Sequence, residues 1–329
     1  MAKFVYFICN QGSANLLKEE LLKKHRYFNV AFARQTFLTF KRSDGKETTI
    51  DFNPQCVFAR AFGISLGKAK ISEIGLVLQS ELIHSLNKEY VLHEWNPDGK
   101  CDWTVRPELE QILQLKKDNT AKVGDLIIDV VKMNPTDYFL GIRKRSAWQT
   151  PYVGGTPPFD LPEEAPSRAW LKTEEAIELT GAQLMPGETV LEIGSAPGGS
   201  VYNFLKRDLK VYGVDTGEMH ESCLKNKNFT HLNMTMQKID RSLFKTPVKW
   251  LLLDINQKPS YALRELRRII PLFKGELKGL FLTFKLTDQD SIKKMDANIK
   301  ELTTYGLQVT PTQLFHNRNE VFFYAVPSN

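Results

Sequence analysis

The sequence predicts an α/β protein in which a doubly wound, mainly parallel sheet in the second half follows an α+β region in the first half. The length of 329 residues suits two domains of roughly 150 residues each. After residue 166, helices alternate regularly with apolar strands, which is typical of doubly wound sheets. Before residue 146, short strands are mixed with few helices, which favours an α+β domain.

The first region consists of short apolar runs separated by amphipathic segments. Phe4 to Cys9 reads as a strand, and Ser13 is a suitable N-cap for a helix over 13–24, whose leucines recur at helical spacing. The other predicted elements are strands at 29–33, 36–41, 57–64, 90–95, 125–133 and 138–143, and helices at 71–86 and from Pro107 onward. We therefore predict an α+β region over residues 1–145.

A segment rich in proline and glycine follows this region. Residues 146–166 have little periodicity and are interrupted by Pro151, Gly154, Gly155, Pro157, Pro158, Pro162 and Pro166. Such punctuation is typical of loops. We predict a linker over 146–166 and a second domain over 167–329.

The second domain has the regular pattern of a parallel sheet. Helices are predicted at 168–180 and 200–207, and apolar strands at 189–193, 210–214, 250–253, 280–284 and 321–326. Further helices are expected between the later strands. Ligands of such sheets bind outside the carboxyl ends of the strands, so the residues that follow these strands are the first candidates for a site.

Composition excludes several classes of protein. Hydrophobic residues make up 42% and charged residues 25%, which is ordinary for a globular protein and unlike a disordered, collagen-like or coiled-coil chain. No apolar run approaches the roughly 20 residues that span a bilayer, and Phe4 to Cys9 is too short for a secretory leader. The formal charge of +6 is compatible with a nucleic-acid partner and equally with many other functions.

Cysteine spacing predicts neither a zinc site nor a disulfide framework. Cys9, Cys56, Cys101 and Cys223 lie far apart, with no C-x-x-C pair. We therefore expect no metal, a cytoplasmic location and no membrane association. A monomer is favoured over an oligomer.

The most informative segment is the glycine-containing run Val190-Leu-Glu-Ile-Gly-Ser-Ala-Pro-Gly-Gly199. It reads as a strand that enters a loop and opens a helix, and its glycines allow the backbone to approach a ligand closely. A second strand ends in Asp215, whose carboxylate suits the two hydroxyls of an adenosine ribose. The alternative is that the glycines only form a tight turn between strand and helix.

Pro197 distinguishes this loop from the G-x-G-x-x-G loop of dinucleotide-binding proteins. The E-x-G-x-A-P-G-G form instead resembles the first motif of methyltransferases that use S-adenosylmethionine, and this resemblance implies that cofactor. Asp240, after the next predicted strand, is a candidate partner of the adenine amine, or else a loop carboxylate without a role. The candidate cofactor-binding residues are Ser167, Gly194, Ser195, Ala196, Pro197, Gly198, Gly199, Ser200, Asp215, Asp240 and Asp254.

Four charged residues outside this loop form a second candidate set. Lys172 lies near the start of a predicted helix, Asp254 and Lys285 end apolar strands, and Glu320 comes just before the last strand. Taken singly, Lys172, Asp254 and Glu320 have ordinary structural explanations as a solvated helix lysine, a turn or cap, and a strand-edge charge. Lys285 follows Phe-Leu-Thr-Phe and is harder to explain in this way.

Together these residues resemble the Lys-Asp-Lys-Glu tetrad of RNA ribose 2′-O-methyltransferases with an FtsJ-like (RrmJ-type) domain, in the same order along the chain. The resemblance is closer to the bacterial large-subunit ribosomal RNA cytidine 2′-O-methyltransferase M family, in segments such as Val214-Asp-Thr-Gly-Glu-Met219 and Leu314-Phe-His-Asn-Arg-Asn-Glu320. It implies a ferredoxin-like segment and a THUMP RNA-binding domain in residues 1–145, and ribosomal RNA as partner. Ser200 departs from that family, which usually has tryptophan there.

The chemistry that the resemblance implies requires a base. A ribose 2′-hydroxyl is a poor nucleophile and must lose its proton as it attacks the methyl group of the sulfonium. A lysine, whose ordinary pKa is about 10.4, accepts a proton only when it is deprotonated. We expect Lys285 to be the general base, held in line by Asp254 and Glu320, with Lys172 as a neighbouring positive charge.

Two groups of basic residues are candidates for RNA contacts, because single-stranded RNA binds basic grooves with stacking aromatic rings. One group ends the first region near Trp148 and Tyr152, and the other flanks the tetrad; the members are Arg143, Lys144, Arg145, Arg168 and Arg318. The alternative for the first group is a solvated basic turn with aromatic side chains packed on the linker.

Three functions therefore remain after sequence analysis. The first is an RNA 2′-O-methyltransferase acting on ribosomal RNA, or on another RNA such as tRNA. The second is a catalytically silent RNA-binding protein on the same scaffold, which the complete tetrad disfavours. The third is a methyltransferase of small molecules or proteins, for which a THUMP-like domain has no obvious use.

The strand ending at Asp254 continues Ile-Asn-Gln257 and lacks the [D/N]-P-P-[Y/F] motif of amine-methylating enzymes. This disfavours methylation of an exocyclic base amine.

Overall fold

A computed structural model describes residues 2–79, 83, 86, 88–286 and 292–328. The chain divides into two compact units, residues 1–158 and 159–329, and the division falls within the predicted linker. Among the described residues, no helix is long and apolar enough to cross a membrane. In the same part of the chain, no cluster of His, Cys, Asp or Glu side chains has the arrangement of a metal site.

The first unit contains a seven-stranded sheet with the spatial order β2-β3-β1-β4-β7-β6-β5. All neighbouring pairs are antiparallel except β5 and β6, which are parallel. The strands are β1 (Phe4–Ile8), β2 (Phe28–Arg34), β3 (Phe37–Arg42), β4 (Ala61–Lys70), β5 (Tyr90–Trp95), β6 (Leu126–Lys132) and β7 (Asp137–Lys144). The described helices are Ala14–Lys24, Ile74–Leu78 and Arg106–Leu109, with 3₁₀ turns at Ile71–Glu73 and Val153–Gly155.

The predicted strand at 57–64 is wrong in its first half. Val57 and Phe58 lie in a turn, because their backbone N–H groups donate to the two carboxylate oxygens of Glu20, at 2.9 and 3.2 Å. The strand begins only at Ala61. Part of the helix predicted at 71–86 lies outside the described residues.

The second unit contains a seven-stranded sheet with the order β10-β9-β8-β11-β12-β14-β13. Five strands are parallel, and β14 runs antiparallel to both β12 and β13. The strands are β8 (Thr189–Ile193), β9 (Lys210–Asp215), β10 (Phe229–Asn233), β11 (Val248–Asp254), β12 (Gly279–Lys285), β13 (Leu307–Thr312) and β14 (Glu320–Pro327). The described helices are Ala169–Thr180, Gly199–Leu205, Glu221–Leu224, Pro259–Ile269 and Met295–Thr303, with 3₁₀ turns at Met236–Lys238, Arg241–Leu243 and Ile270–Phe273.

This topology gathers polar residues at one edge of the sheet. The parallel strands β8, β9, β11 and β12 all end at this edge, where Gly194, Asp215, Asp254 and Lys285 are found. Because β14 is antiparallel, it begins at the same edge, with Glu320 opposite Lys285 in the register. The sheet interior is apolar: Leu251, Leu253, Leu280 and Leu282 are fully buried.

Candidate active site

The glycine loop brings the first strand of the site against its neighbour. Gly194 has φ +86°, and a Cβ atom there would lie 2.3 Å from the backbone oxygen of Asp254. A Cβ atom on Gly199 would lie 2.3 Å from Ser167 Oγ. Only glycine fits where a backbone approaches this closely, so these two residues allow the segments that carry Asp254 and Ser167 to close around one cavity.

A cavity of about 540 Å³ lies beside this loop. Such a volume is typical of a site for a small molecule. It is lined by Ser167, Ala169, Glu192, Ile193, Gly194, Ser195, Ala196, Gly199, Ser200, Val214, Asp215, Thr216, Met234, Thr235, Met236, Gln237, Asp254, Ile255, Asn256, Gln257, Tyr261 and Lys285. Most candidate cofactor-binding residues therefore line one space, and Pro197, Gly198 and Asp240 do not.

Asp215 lines the cavity, and backbone hydrogen bonds hold its carboxylate in place. Its Oδ2 accepts from the backbone N–H of Ala196 at 3.0 Å, and its Oδ1 accepts from that of Gly217 at 2.8 Å. These bonds fix the carboxylate at the cavity wall. Each carboxylate oxygen has lone pairs for a second donor, so the group fits the two hydroxyls of an adenosine.

Asp240 is a correction to the sequence analysis. The chain leaves β10 at Asn233 and turns through the 3₁₀ turn Met236–Lys238, which carries Asp240 past the cavity. The exposed Asp240 carboxylate accepts from the backbone N–H and the hydroxyl of Ser242, at 2.9 and 2.6 Å, and so caps the next turn. These hydrogen bonds lower the pKa of Asp240.

The cavity wall beyond Asp215 is formed by residues that sequence reasoning missed. Met236 and Gln237 follow β10, Gln257 follows β11, and Tyr261 belongs to the next helix. The Gln237 amide donates to the Tyr261 hydroxyl. The sequence could have indicated these residues, because they follow the carboxyl ends of parallel strands, where such sheets bind ligands.

Glu192 is another cavity residue that sequence reasoning missed. It is only 2% exposed, and its Oε2 has no hydrogen-bond partner among the described residues. Burial raises its pKa well above the ordinary value, and the nearby carboxylates of Asp254 and Asp215 raise it further, against a hydrogen bond from Ser200. Burial without a positive partner thus favours the neutral carboxylic acid of Glu192 over its carboxylate.

The four tetrad candidates lie together. Lys172 Nζ donates to Asp254 Oδ2 at 2.5 Å and to Glu320 Oε2 at 3.0 Å. Lys285 Nζ donates to Glu320 Oε1 and lies 3.4 Å from Asp254 Oδ1. The four side chains are between 12% and 21% exposed. Two carboxyl groups and two lysine amines thus alternate in a partly buried cluster.

Charge pairing determines the protonation of two members. Burial alone would lower the pKa of Lys172, but Asp254 and Glu320 outweigh burial and raise it. Burial alone would raise the pKa of Glu320, but Lys172 and Lys285 outweigh burial and lower it. At neutral pH Lys172 is therefore a cation and Glu320 an anion.

The tetrad meets the cavity at two residues. Asp254 and Lys285 line the cavity, whereas Lys172 and Glu320 do not. Lys285 is thus the tetrad amine that reaches a reactant placed in the cavity, while Lys172 holds the two carboxylates from the far side.

Ser200 lies where these two parts of the site meet. Its side chain is 3% exposed and lines both the main cavity and a smaller one of about 20 Å³ beside Lys172 and Asp254. The resemblance to the M family leads one to expect an indole at this position. Here the space beside the tetrad is instead bordered by a hydroxyl.

A loop at 313–319 orients Glu320. Glu175, one helical turn after Lys172, accepts from the backbone N–H groups of Phe315 and His316 at 2.8 and 3.3 Å, and contacts His316 Nδ1 at 3.1 Å. In the same loop Asn317 Nδ2 donates to Glu320 Oε2 at 3.1 Å. Sequence reasoning missed Glu175 and Asn317, which act only through contacts distant in sequence.

The prediction that Arg143 and Arg145 contact RNA is wrong, because both side chains are buried. Arg143 is fully buried: its Nε donates to Asp129 Oδ2 at 2.8 Å, and one terminal nitrogen lies 3.1 Å from His93 Nδ1. Arg145 is 8% exposed and donates to the backbone of Gln149. Neither guanidinium is open to RNA in this structure.

The other predicted RNA-contact residues lie at the surface. Lys144 is exposed and pairs with Asp51 at 3.0 Å. Arg168 and Arg318 are exposed. Arg168 directly precedes the helix that carries Lys172, and Arg318 lies two residues before Glu320.

Comparison with known proteins now identifies the family. An FtsJ-like methyltransferase family model matches residues 165–295. The ribosomal RNA large subunit methyltransferase M of Cellvibrio japonicus is 32% identical over 341 residues, covering 98% of this chain and 88% of the relative. The chain belongs to the ribosomal RNA large subunit methyltransferase M family. Its second unit contains an FtsJ-like methyltransferase domain. The cofactor of this family is S-adenosylmethionine, and the volume of the cavity suits a small molecule of this kind.

Other comparisons cover less or show less similarity. The ribosomal RNA large subunit methyltransferase M of Laribacter hongkongensis is 32% identical over 193 residues, so that alignment spans 54% of this chain and about half, 52%, of the relative. Among solved structures, TrmN from Thermus thermophilus is similar over 98% of this chain and 99% of its own, with a TM-score of 0.39 and 13% identity. A ribosomal RNA methyltransferase from Plasmodium falciparum matches 50% of this chain and 97% of its own, with a TM-score of 0.34 and 19% identity.

Proposed function

We propose that this protein transfers a methyl group from S-adenosylmethionine to a ribose 2′-hydroxyl of large-subunit ribosomal RNA, at a cytidine. The observation that carries the proposal is that Lys285 joins the cofactor cavity to the Lys172, Asp254 and Glu320 cluster. The names of the relatives, which are ribosomal RNA methyltransferases, favour this RNA class, and the cytidine follows from the resemblance in sequence.

The tetrad residues have separate parts in the reaction. The bound cofactor supplies an electrophilic methyl group on a sulfonium. Lys285 Nζ, in its deprotonated form, accepts the 2′-hydroxyl proton as the new C–O bond forms and the C–S bond breaks, leaving S-adenosylhomocysteine. Lys172 remains a cation and fixes both carboxylates, and Glu320 and Asp254 hold the Lys285 amine in line. Alignment of the hydroxyl with the methyl carbon supplies much of the remaining rate acceleration.

Binding of the cofactor involves the glycine loop and Asp215. Asp215 would accept from the ribose hydroxyls, and the backbone of Gly194 to Gly199 would contact the remainder of the ligand, with Ser167 beside it. Cavity lining supports this assignment for Ser195, Ala196 and Ser200. Pro197 and Gly198 shape the loop, since Gly198 adopts φ +117°.

We assign RNA binding to the first region as a ferredoxin-like segment with a THUMP-like domain over 1–145, joined by the linker 146–166 to the catalytic domain over 167–329. Support comes from the alignment over 98% of the chain with one relative. Lys144, Arg168 and Arg318 are the exposed members of the predicted RNA-contact set.

The proposal includes the state and place in which the protein acts. One chain supplies all four tetrad residues and the cavity, so a monomer is sufficient for the reaction. We propose the cytoplasm as its location, where it would meet a ribosomal RNA substrate.

One assay tests the proposed function. Labelled S-adenosylmethionine is incubated with the protein and, separately, with unmodified large-subunit ribosomal RNA, transfer RNA or a protein extract. We expect label in the ribosomal RNA, recovered after nuclease digestion as 2′-O-methylcytidine. Label in transfer RNA or protein would assign a different substrate, and binding of ribosomal RNA without transfer would indicate a catalytically silent protein.

A further inference from the structure

Phe315 exposes an aromatic ring in the loop that leads to Glu320 of the tetrad. The residue is 40% exposed, although Leu314 before it is 1% exposed and packs in the core. The ring contacts that of His316 edge to face, with centroids 5.1 Å apart. Phe315 is thus exposed although the residue before it is buried, and it has no role in the tetrad chemistry.

The backbone that carries this ring is fixed. Glu175 is 3% exposed, and its two carboxylate oxygens accept from the N–H groups of Phe315 and His316. The side chain of Asn317 accepts from the N–H of Leu314 at 3.0 Å and donates to Glu320. Because these bonds hold the loop on both sides of the ring, little conformational freedom remains to be lost when a ligand packs against it.

The helix Ala169–Thr180 connects the cofactor cavity, the tetrad and the loop of Phe315. Ala169 lines the cofactor cavity, Lys172 belongs to the tetrad, and Glu175 holds the loop of Phe315. At 1.5 Å per residue, Ala169 and Glu175 lie about 9 Å apart along the helix axis. The tetrad therefore lies between the cofactor cavity and the segment that presents Phe315.

Exposed arginines on the two segments that carry Phe315 and Lys172 favour an anionic partner. Arg318, in the same loop, and Arg168, at the start of the helix, are both exposed. An aromatic face together with arginines that can meet phosphates is the combination with which proteins bind single-stranded nucleic acid.

We propose that Phe315 is a stacking platform for an unpaired base of the RNA strand beside the tetrad, with Arg318 contacting the adjoining phosphate. This inference rests on the proposed function and goes beyond it, because it names the residue that holds the substrate strand and requires that strand to be unpaired there. Stacking is tolerant of base identity, so the platform positions the strand rather than selecting the nucleotide.

The test compares Phe315→Ala with Phe315→Trp in the full-length protein. The readouts are the Kd for unmodified large-subunit ribosomal RNA made by transcription, the KM and kcat of methyl transfer, and the Kd for S-adenosylhomocysteine. Met185→Ala is the matched control, because Met185 is 53% exposed and precedes β8, at the opposite edge of the sheet.

We expect Phe315→Ala to weaken RNA binding on the order of 10-fold and to raise KM, while the affinity for S-adenosylhomocysteine stays unchanged. Phe315→Trp should restore RNA binding, because indole also stacks, and Met185→Ala should behave as wild type. An unchanged RNA affinity in Phe315→Ala contradicts the platform. Equal losses of RNA and S-adenosylhomocysteine binding also contradict it, because they would show a packing role.

The same experiment separates this inference from the proposed function. If the wild-type protein transfers no methyl group to RNA, the proposed function fails, whatever Phe315 does. If it transfers methyl groups and Phe315→Ala matches it in Kd and KM, the proposed function stands and the platform is wrong.

Discussion

Lys285 and Glu320 lie opposite each other in the antiparallel pair β12 and β14, and Lys285 Nζ donates to Glu320 Oε1. Strand pairing therefore fixes the backbone of both residues before any side chain is oriented. Lys172, from a helix, and Asp254, from the end of β11, complete the cluster. A rigid sheet edge holds three of the four groups, as precise positioning requires.

Asn317 orients Glu320, so its truncation should slow the reaction. In Asn317→Ala, Glu320 Oε2 loses a donor at 3.1 Å and gains freedom to turn from the lysines. A lost hydrogen bond to a charged group corresponds to about 1.5–3 kcal/mol, so we expect kcat to fall roughly 10- to 100-fold. Asn319→Ala, an exposed position in the same segment, is the control and should leave kcat unchanged. Equal kcat values in the two variants would refute this role of Asn317.

Asp215 and Asp240 should differ in their effect on cofactor binding. Asp215 lines the cavity with both oxygens fixed, whereas Asp240 caps a turn outside it. By calorimetry, Asp215→Ala should weaken S-adenosylhomocysteine binding roughly 10- to 100-fold, the value of a hydrogen bond to a charged group. Asp240→Ala should leave binding unchanged. A comparable loss of binding in Asp240→Ala would restore the role of Asp240 assigned from sequence.

Glu192 should make the protein less stable as the pH rises. Burial raises its pKa in the folded protein, while an unfolded glutamate ionises near about 4.3. Above that pH the unfolded chain releases this proton, whereas the folded protein keeps it. The free energy of unfolding therefore decreases as the pH rises from the unfolded pKa to the folded pKa of Glu192. One such group contributes up to about 1.4 kcal/mol per pH unit.

Glu192→Gln removes this titration, so its unfolding free energy should fall less between pH 5 and pH 8 than that of wild type. Urea unfolding of the cofactor-free protein at several pH values measures the difference. Glu178→Gln, at an exposed position, is the control and should keep the wild-type slope. The same slope in Glu192→Gln and wild type would rule out a raised pKa.

Arg143 should contribute to stability and not to RNA contact. It pairs with Asp129 where both side chains are 0% exposed, and truncating one member of a buried pair costs about 3–5 kcal/mol. Arg143→Ala should lower the unfolding free energy by that amount in a urea titration. The neighbouring Lys144→Ala removes only an exposed pair and should change stability by less than about 1 kcal/mol. Similar stabilities of the two variants would contradict the buried pair.

Local patterns in the sequence predicted the glycine loop, four of the five parallel strands of the second unit and the antiparallel strand β14. Apolar runs identified β8, β9, β11, β12 and β14 within a few residues, because buried strands have a strong composition signal. Asp215, Asp254 and Lys285 could be placed at one edge, because each follows a parallel strand. Glu320 could be chosen only by resemblance, since its place depends on the antiparallel direction of β14.

The incorrect predictions have physical causes. A run of basic residues does not reveal which side chains point inward, and Arg143 and Lys144 lie on opposite faces of β7. The acid in the apolar segment Leu126–Lys132, Asp129, was the available signal of a buried partner. Asp240 was misplaced because the path of a loop after a strand is not encoded in hydrophobic periodicity.

The most direct test of the account is to locate the transferred methyl group and to ask whether Lys285 is needed for the transfer. Ribosomal RNA methylated with labelled cofactor is hydrolysed with alkali, which cleaves only where a free 2′-hydroxyl attacks the adjoining phosphate. We predict that wild-type protein places the label in alkali-resistant dinucleotides, and that Lys285→Ala lowers the rate about 10²- to 10⁴-fold while S-adenosylhomocysteine binding is largely retained. Recovery of the label in mononucleotides after alkaline hydrolysis, or full activity of Lys285→Ala, would contradict the account.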